Sequence, residues 1–552
     1  MKSWTPLALA LALGFLVAPS GVEASPAPAQ YPSPEGTPDP ADTDPSDSDE
    51  VRGYDALVYL YDEFRTYRLP EVTNGVPDYT AEAMARQLGG LREMQSRLAQ
   101  IDTTGWPVSD KVDYRVVQAE MAGMEFEHRV TQPWVKDPAF YAVINFQFGP
   151  KMHRSMSLPS TPVPEGNVAD VRERLEAIPV ILDQARDNLT DPIADLAYVA
   201  IYTSRQQLNR LESFLEGVRE HNPALVASAE AAHEALEEYR EWLIAERPSM
   251  RNGAGVGVEN YNWWLEHVVL LPYTWDELVT LSWREYERTM AAMKLKEHRY
   301  RHTPVLEPVD SRDAYLHRFN EAMAHYHRFL VSSELFTLDP WTEAPTPSTG
   351  GWNPDTRTDY FQNVMDRYTL PLSAHGRGHT IDAQHRARDD RPIRGQSRLY
   401  FMDGVRQEAF AIGQEKFLYY LGLVEDVPRA HEVMYNLKAF RAARAIADLK
   451  MHSNEMTFEE AFQFTVDYTP YGWAPEDSPT LWHDLELYLR SPLYGVGYVV
   501  GPMQIERLMT DVFLERGDDF DLTEFMDEFR DAGIIPMSLI SLEMLEREQE
   551  PY

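Results

Sequence analysis

From residue 51 onward, apolar positions recur at spacings of three and four, the period of helices that bury one face. Ser109 opens one such run, which continues to Arg129 with Val112, Val116, Ala119, Met121 and Met124 apolar. Residues 168–188 read as a long helix, and Pro179 inside it predicts a kink, because proline removes a backbone donor and crowds the preceding turn. Residues 191–220 and 224–246 read as two further helices. Thr274-Trp-Asp-Glu277 has the form of a capping box and should start a helix running to about Leu295. Clusters of Pro and Gly at 159–166, 248–257 and 338–355 break the pattern. There is no fixed-period repeat and no series of strand-like alternations. The fold expected is therefore mostly α, with one short β element near 140–148. Gly253-Ala-Gly-Val-Gly257 reads as a turn and not a phosphate loop, because a helical segment precedes it and no Lys-Ser or Lys-Thr follows.

Composition narrows the function classes. The 552 residues suffice for two to four domains or one large helical enzyme, and 43% hydrophobic content supplies a core. A formal charge of -37 argues against nucleic acid or an anionic membrane as partner, since both repel it. Such charge suits solubility at high salt or an exported acidic protein. Lys2, the apolar run 6–19 and Val22-Glu23-Ala24 read as a signal peptide over 1–24. The run is short for a transmembrane helix, so no stable membrane insertion is expected after cleavage. Residues 25–50, rich in Pro, Asp and Ser, should form a disordered tether. The expected location is the periplasm or the exterior. The folded body divides at the Pro/Gly break into 51–335 and 336–552, the second part carrying the candidate site. With no Cys, disulfides, thiolate ligands, thiol nucleophiles and a lipidated cysteine are not expected.

The candidate chemistry lies in residues 375–415. His375-Gly-Arg-Gly-His379 has two His at i, i+4, with Asp382 and His385 following and Glu408 and Glu415 downstream. Two His at that spacing plus a later Glu is the ligand pattern of a helical zinc site. The residue after the first His would be the general base of a metallopeptidase; here it is Gly376. Pro371, Gly376 and Gly378 argue against a regular helix at His375 and place helix from about His379 onward. A metal could then use His379 with Asp382, or with His385 if the helix bends. Solvated or ion-paired His is the competing reading. Glu408 and Glu415 lie two turns apart on one helical face. Their partners would be a metal, or arginines such as Arg391, Arg394 and Arg406.

These residues resemble a family. Leu182-Asp-Gln-Ala-Arg-Asp-Asn-Leu189, Thr274-x-Asp-Glu-Leu278, Thr457-Phe-Glu-Glu-Ala461, Gly497-Tyr498-Val-Val-Gly501 and Gly533-Ile-Ile-Pro536 are similar to segments of the bacterial domain-of-unknown-function family numbered 885. Its members look like gluzincin-type zinc peptidases. The resemblance implies a large helical clamshell with a central cleft, zinc as cofactor, and His375, His379, Glu408 and Glu415 as candidate ligands. The family motif His-Glu-x-x-Pro-Gly-His is matched at its close by Gly378-His379, and Glu408-Ala-Phe-Ala-Ile-Gly-Gln-Glu415 matches its second segment. Ungapped, Ser373 and Ala374 stand at His-Glu; with a two-residue deletion His375 replaces the first His, and the Glu is absent either way. A family Phe-His-Asp is Phe525-Met526-Asp527 here. Tyr498 matches a family Tyr able to stabilise an oxyanion. Asp382 or His385 would have to replace the missing base.

Three readings follow. The first is an exported metallohydrolase of altered mechanism, acting on peptide or other amide bonds. The second is a catalytically silent relative whose cleft binds peptides or small anionic ligands. The third is another enzyme, using Arg388, Arg391 and Arg394 for an anionic substrate; neutralisation of that group by Asp389 and Asp390 is the plainer expectation.

Overall fold

The computed structural model describes residues 53–145, 149–342, 352 and 359–547. The expected signal peptide and tether lie outside the described residues. The described chain is mostly helical, as its periodicity predicts. Val168–Asn188, Ala194–His221 and Val226–Glu246 are helices, the third packing against the other two. The first continues through Pro179. Thr274 closes the expected capping box: its hydroxyl accepts from the Glu277 amide, and the Glu277 carboxylate accepts from the Thr274 amide at 2.7 Å. The helix it starts, Trp275–Arg299, outlasts the expected end by a turn.

The β element is displaced. Val72–Thr73 and Val76–Pro77 form a two-residue hairpin pair. In the expected segment, Pro138–Tyr141 is a 3-10 turn and Ile144 makes only an isolated bridge to Met156; residues 146–148 lie outside the described residues. The glycine run at 253–257 is a docking loop. A Cβ on Gly255 would fall 2.2 Å from the Met451 carbonyl oxygen, and the Gly257 amide donates to the His452 carbonyl at 2.9 Å. Among the described residues no helix is long and apolar enough to cross a membrane.

Five helices frame the candidate site. They are Trp275–Arg299, Leu370–Arg386 (the histidine helix), Gly404–Tyr420 (the carboxylate helix), Ala430–His452 (the arginine helix) and Tyr494–Arg516 (the tyrosine helix). Nearly the whole carboxylate helix is buried. The tyrosine helix packs along it at a glycine: a Cβ on Gly501 would lie 2.8 Å from the Ala409 nitrogen and the Val405 oxygen. On the opposite side Gly378 meets Ala411, where a Cβ would lie 2.9 Å from its Cα. Small residues thus draw three helix backbones together, and the polar side chains between them are forced into contact.

One buried histidine in the N-terminal half makes stability pH-dependent. His128 lies 3.0 Å from the Gln87 side-chain oxygen, and burial lowers its pKa to about 4. Its folded pKa is depressed, so the unfolded chain binds the extra proton. Stability is therefore full above the unfolded value of about 6.5 and falls as pH drops from there toward 4, by an amount on the order of 3 kcal/mol. Urea midpoints measured from pH 8 to 4.5 should fall less steeply for His128→Gln than for the parent.

Candidate metal centre

His375 and His379 both lie on the histidine helix, which starts at Leu370 and not near His379. Two local facts correct the expectation. Pro371 sits in the first turn, where no amide donor is needed. Gly378 is a packing residue against Ala411, so the cost of a helical glycine is repaid by close approach. With regular helix at both positions, the i, i+4 rings share one face. Their Nε2 atoms are 3.2 Å apart.

Glu408 comes from the facing helix. One of its oxygens lies 3.6 Å from His375 Nε2 and the other 3.6 Å from His379 Nε2. His375, His379 and Glu408 can each offer one ligand atom, all within 4.8 Å of one another, and the group could hold a metal ion. The fit can be tested on geometry. Tetrahedral bonds of 2.0–2.1 Å to nitrogen or oxygen separate neighbouring ligand atoms by roughly 3.3 Å. The 3.2 Å between the two nitrogens is close to that edge, and each nitrogen has a different Glu408 oxygen at 3.6 Å.

The charges agree. The carboxylate helix buries Arg406, Glu408, Glu415 and Lys416. Arg406 is held by Asp382, Glu415 by Arg441 at 3.1 and 3.2 Å, and Lys416 by Glu506. Among the described residues no Lys or Arg forms an ion pair with Glu408, and one of its oxygens is buried without a hydrogen-bond partner. A buried carboxylate needs a positive partner, and here the groups in contact with it are the two imidazoles, a place that a metal cation could also fill. His375 is well suited to ligation: burial first, then Arg441, His379 and Arg444, hold its pKa well below the ordinary imidazole range. It therefore stays neutral with a lone pair free. For His379 burial also acts downward, but the charge and hydrogen bond of Glu408 outweigh it and raise the pKa.

Glu415 stands apart from the three. Its carboxylate lies 4.0 Å from His375 Nδ1, on the side of the ring away from Glu408, and is fixed by both Arg441 nitrogens. At that distance it makes no hydrogen bond to the ring, whose Nδ1 is buried without a partner, and it stands behind His375 rather than among the three candidate ligands. The seven-residue interval between Glu408 and Glu415 thus brackets one ring. Arg441→Ala leaves Glu415 buried and unpaired, so a stability loss of about 3–5 kcal/mol is expected in chemical denaturation, largely recovered when Glu415→Gln is added.

The remaining candidates fall differently. Asp382 lies on the histidine helix, but its two oxygens accept from Arg406 at 2.8 and 3.3 Å. His385 faces Asp531 at 3.5 Å. Of the arginines suggested as partners for the two glutamates, Arg391 pairs with Asp389, Arg394 with Asp113 and Glu543, and Arg406 with Asp382; Arg388, suggested for an anionic substrate, lies over the Trp341 ring. None reaches Glu408 or Glu415. Tyr498 is close: its ring centroid is 6.3 Å from that of His375, with the Arg444 guanidinium 4.9 Å over its face. Burial, then Glu408 and the neighbouring tyrosines, hold its pKa well above the ordinary phenol range, so the hydroxyl keeps its proton and can donate it in a hydrogen bond.

Sequence reasoning missed Arg441, Arg444 and Tyr494. The signal was present: two arginines interrupt the otherwise apolar Phe440-Arg-Ala-Ala-Arg-Ala445, and a residue of that charge in a buried helix needs a buried partner. Tyr494 stands four residues before Tyr498 on the tyrosine helix. A separate cavity of about 420 Å³, lined by Glu266, Leu270, Tyr273 and Leu542, shares no residue with the site.

Fold and site together define a large helical protein with a two-histidine, one-carboxylate ligand group enclosed by packed helices. The chain belongs to the family described as bacterial protein of unknown function, DUF885, which matches residues 66–335 and 378–544. The match resumes at Gly378, so His375 lies outside it. No curated protein sequence matches the chain. Among solved structures, a "putative lipoprotein of unknown function" from Shewanella oneidensis is similar, with TM-score 0.70 and 17% identity over 90% of this chain and 100% of that one. A "putative lipoprotein" from Colwellia psychrerythraea is similar with TM-score 0.66 and 14% identity, over 90% of this chain and 99% of the other. At these identities the likeness concerns the fold alone.

Proposed function

We propose that the protein is a zinc-dependent hydrolase of peptide or other amide bonds, on a gluzincin-like helical scaffold with a central cleft, working at the cell envelope. The observation that carries this reading is the convergence of His375 and His379, with Nε2 atoms 3.2 Å apart, on the buried Glu408 carboxylate, which puts one oxygen 3.6 Å from each and has no Lys or Arg ion pair among the described residues. These residues would hold the zinc, which supplies Lewis-acid polarisation and an acidified water when bound. Glu415 would back the His375 ring, and Arg441 would hold Glu415 in place through its two nitrogens. Tyr498 would donate its hydroxyl to the oxygen that gains charge at the scissile carbonyl. The lipoprotein descriptions of the two structural relatives support an envelope location.

Gly376 favours a second reading. It places no carboxylate between the two histidines, and Asp382 is tied to Arg406, so no general base stands out. On that reading the protein binds peptides or small anionic ligands without cleaving them. Incubation of the zinc-loaded protein with a peptide library distinguishes the two. Cleavage that disappears in Glu408→Ala is the expected result. Equal cleavage by that variant would remove Glu408 from the site and overturn the proposal.

A further inference from the structure

A second feature adjoins the ligand group. A cavity of about 30 Å³ is lined by Glu285, Lys416, Lys438, Arg441 and Tyr498, with Ile412 and Pro502 among its apolar walls. Tyr498 and Arg441 belong to both places: one faces His375, the other holds Glu415. The volume accommodates about two water-sized groups, the size of two carboxylate oxygens.

The charges around it leave one cation over. Lys416 is paired with Glu506 and Arg441 with Glu415. Glu285 is paired with Arg288, through contacts of 2.5 to 3.0 Å. Among the described residues Lys438 forms no ion pair; its ammonium lies 5.9 Å from the Tyr435 ring centroid. A mostly enclosed ammonium without a counter-ion is costly unless a ligand supplies one. Burial, with Lys416 next, lowers the Lys438 pKa to about 8, against the smaller upward pull of the Glu285 and Glu415 carboxylates.

We propose that the cavity bounded by Lys416, Lys438, Arg441 and Tyr498 is a carboxylate seat, which binds the charged group of a peptide ligand beside the metal centre. The identity of the ligand rests on the function proposed above; the seat itself rests on the cavity and on an ammonium that forms no ion pair among the described residues. Sharing Tyr498 and Arg441 with the surroundings of His375, it would fix the position of a ligand relative to His375 and Glu408.

The test is calorimetric titration of the full chain with three tripeptides: Ala-Ala-Ala, its C-terminal amide, and Ala-Ala-Asp amide. The free carboxylate should bind about tenfold or more tighter than the amide, the worth of one charge-assisted hydrogen bond. That preference should vanish in Lys438→Met, which removes an unpaired cation and should fold normally. Binding of Ala-Ala-Asp amide as tightly as Ala-Ala-Ala would make an acidic side chain the source of the carboxylate; weak binding would make it the chain terminus. Either outcome supports the seat. Equal affinity for all three peptides, no binding of any, or a preference unchanged in Lys438→Met would overturn it. Cleavage is followed in parallel by chromatography, so absent hydrolysis with an intact preference sinks the hydrolase proposal and leaves the seat standing.

Discussion

Protein prepared without a histidine tag and equilibrated with trace zinc is expected to retain one zinc ion per chain through gel filtration, and His379→Ala to retain none. The expectation follows from the ligand count. Three protein ligands are the usual minimum for a catalytic zinc, and the candidate group among the described residues consists of His375, His379 and Glu408. Removing one leaves two, so the loss should be all or nothing at micromolar zinc rather than gradual. Glu415→Gln should behave differently. It alters the group behind His375 and not a ligand, so zinc affinity should fall by about 10–100-fold without disappearing. Metal content is read by elemental analysis, and thermal unfolding with and without zinc provides the control for folding. An intact parent fold with no zinc at any tested concentration would sink the metal assignment.

The second large effect is a gain. Gly376→Glu should raise peptide cleavage by the zinc-loaded protein by about two to four powers of ten, the usual contribution of a positioned general base. Residue 376 lies inside a regular helix, one position after His375, and helical glycine is replaced by glutamate with a gain of roughly 0.5–1 kcal/mol in helix propensity. The variant is thus expected to fold at least as well as the parent. Gly376→Gln has the same shape and no basicity, so it should show no gain. A rate increase in both variants would point to helix stiffening and not to proton transfer. No increase in Gly376→Glu, with zinc bound, would favour the binding-only reading.

The two variants probe different halves of the site. His379→Ala asks whether a metal is present at all, and Gly376→Glu asks what a bound metal lacks. A chain that binds zinc but gains nothing from Gly376→Glu would keep the centre described here and lose the hydrolytic chemistry.

Much of this was written locally in the chain. The 3.6-residue periodicity, the Thr274–Glu277 capping box and the Pro/Gly breaks act within a few residues, so the helices at 168–188 and 226–246 could be read nearly to their ends. The i, i+4 spacing of His375 and His379 was visible too, because a helix turns that spacing into a shared face. Whether the helix reached His375 was not. Pro371 and Gly378 look like breakers in isolation, and only the burial of Gly378 against Ala411 shows why a glycine is kept there. The choice among carboxylates was also a tertiary decision. Asp382, Glu408 and Glu415 are chemically alike in sequence. Packing gives Asp382 to Arg406 and Glu415 to Arg441, 26 residues downstream on the next helix, and leaves Glu408 facing the two imidazoles. A buried charge takes its role from the partner brought to it. Sequence spacing therefore supplied the candidates, and the assembled helices decided which carboxylate faced the imidazoles rather than a guanidinium.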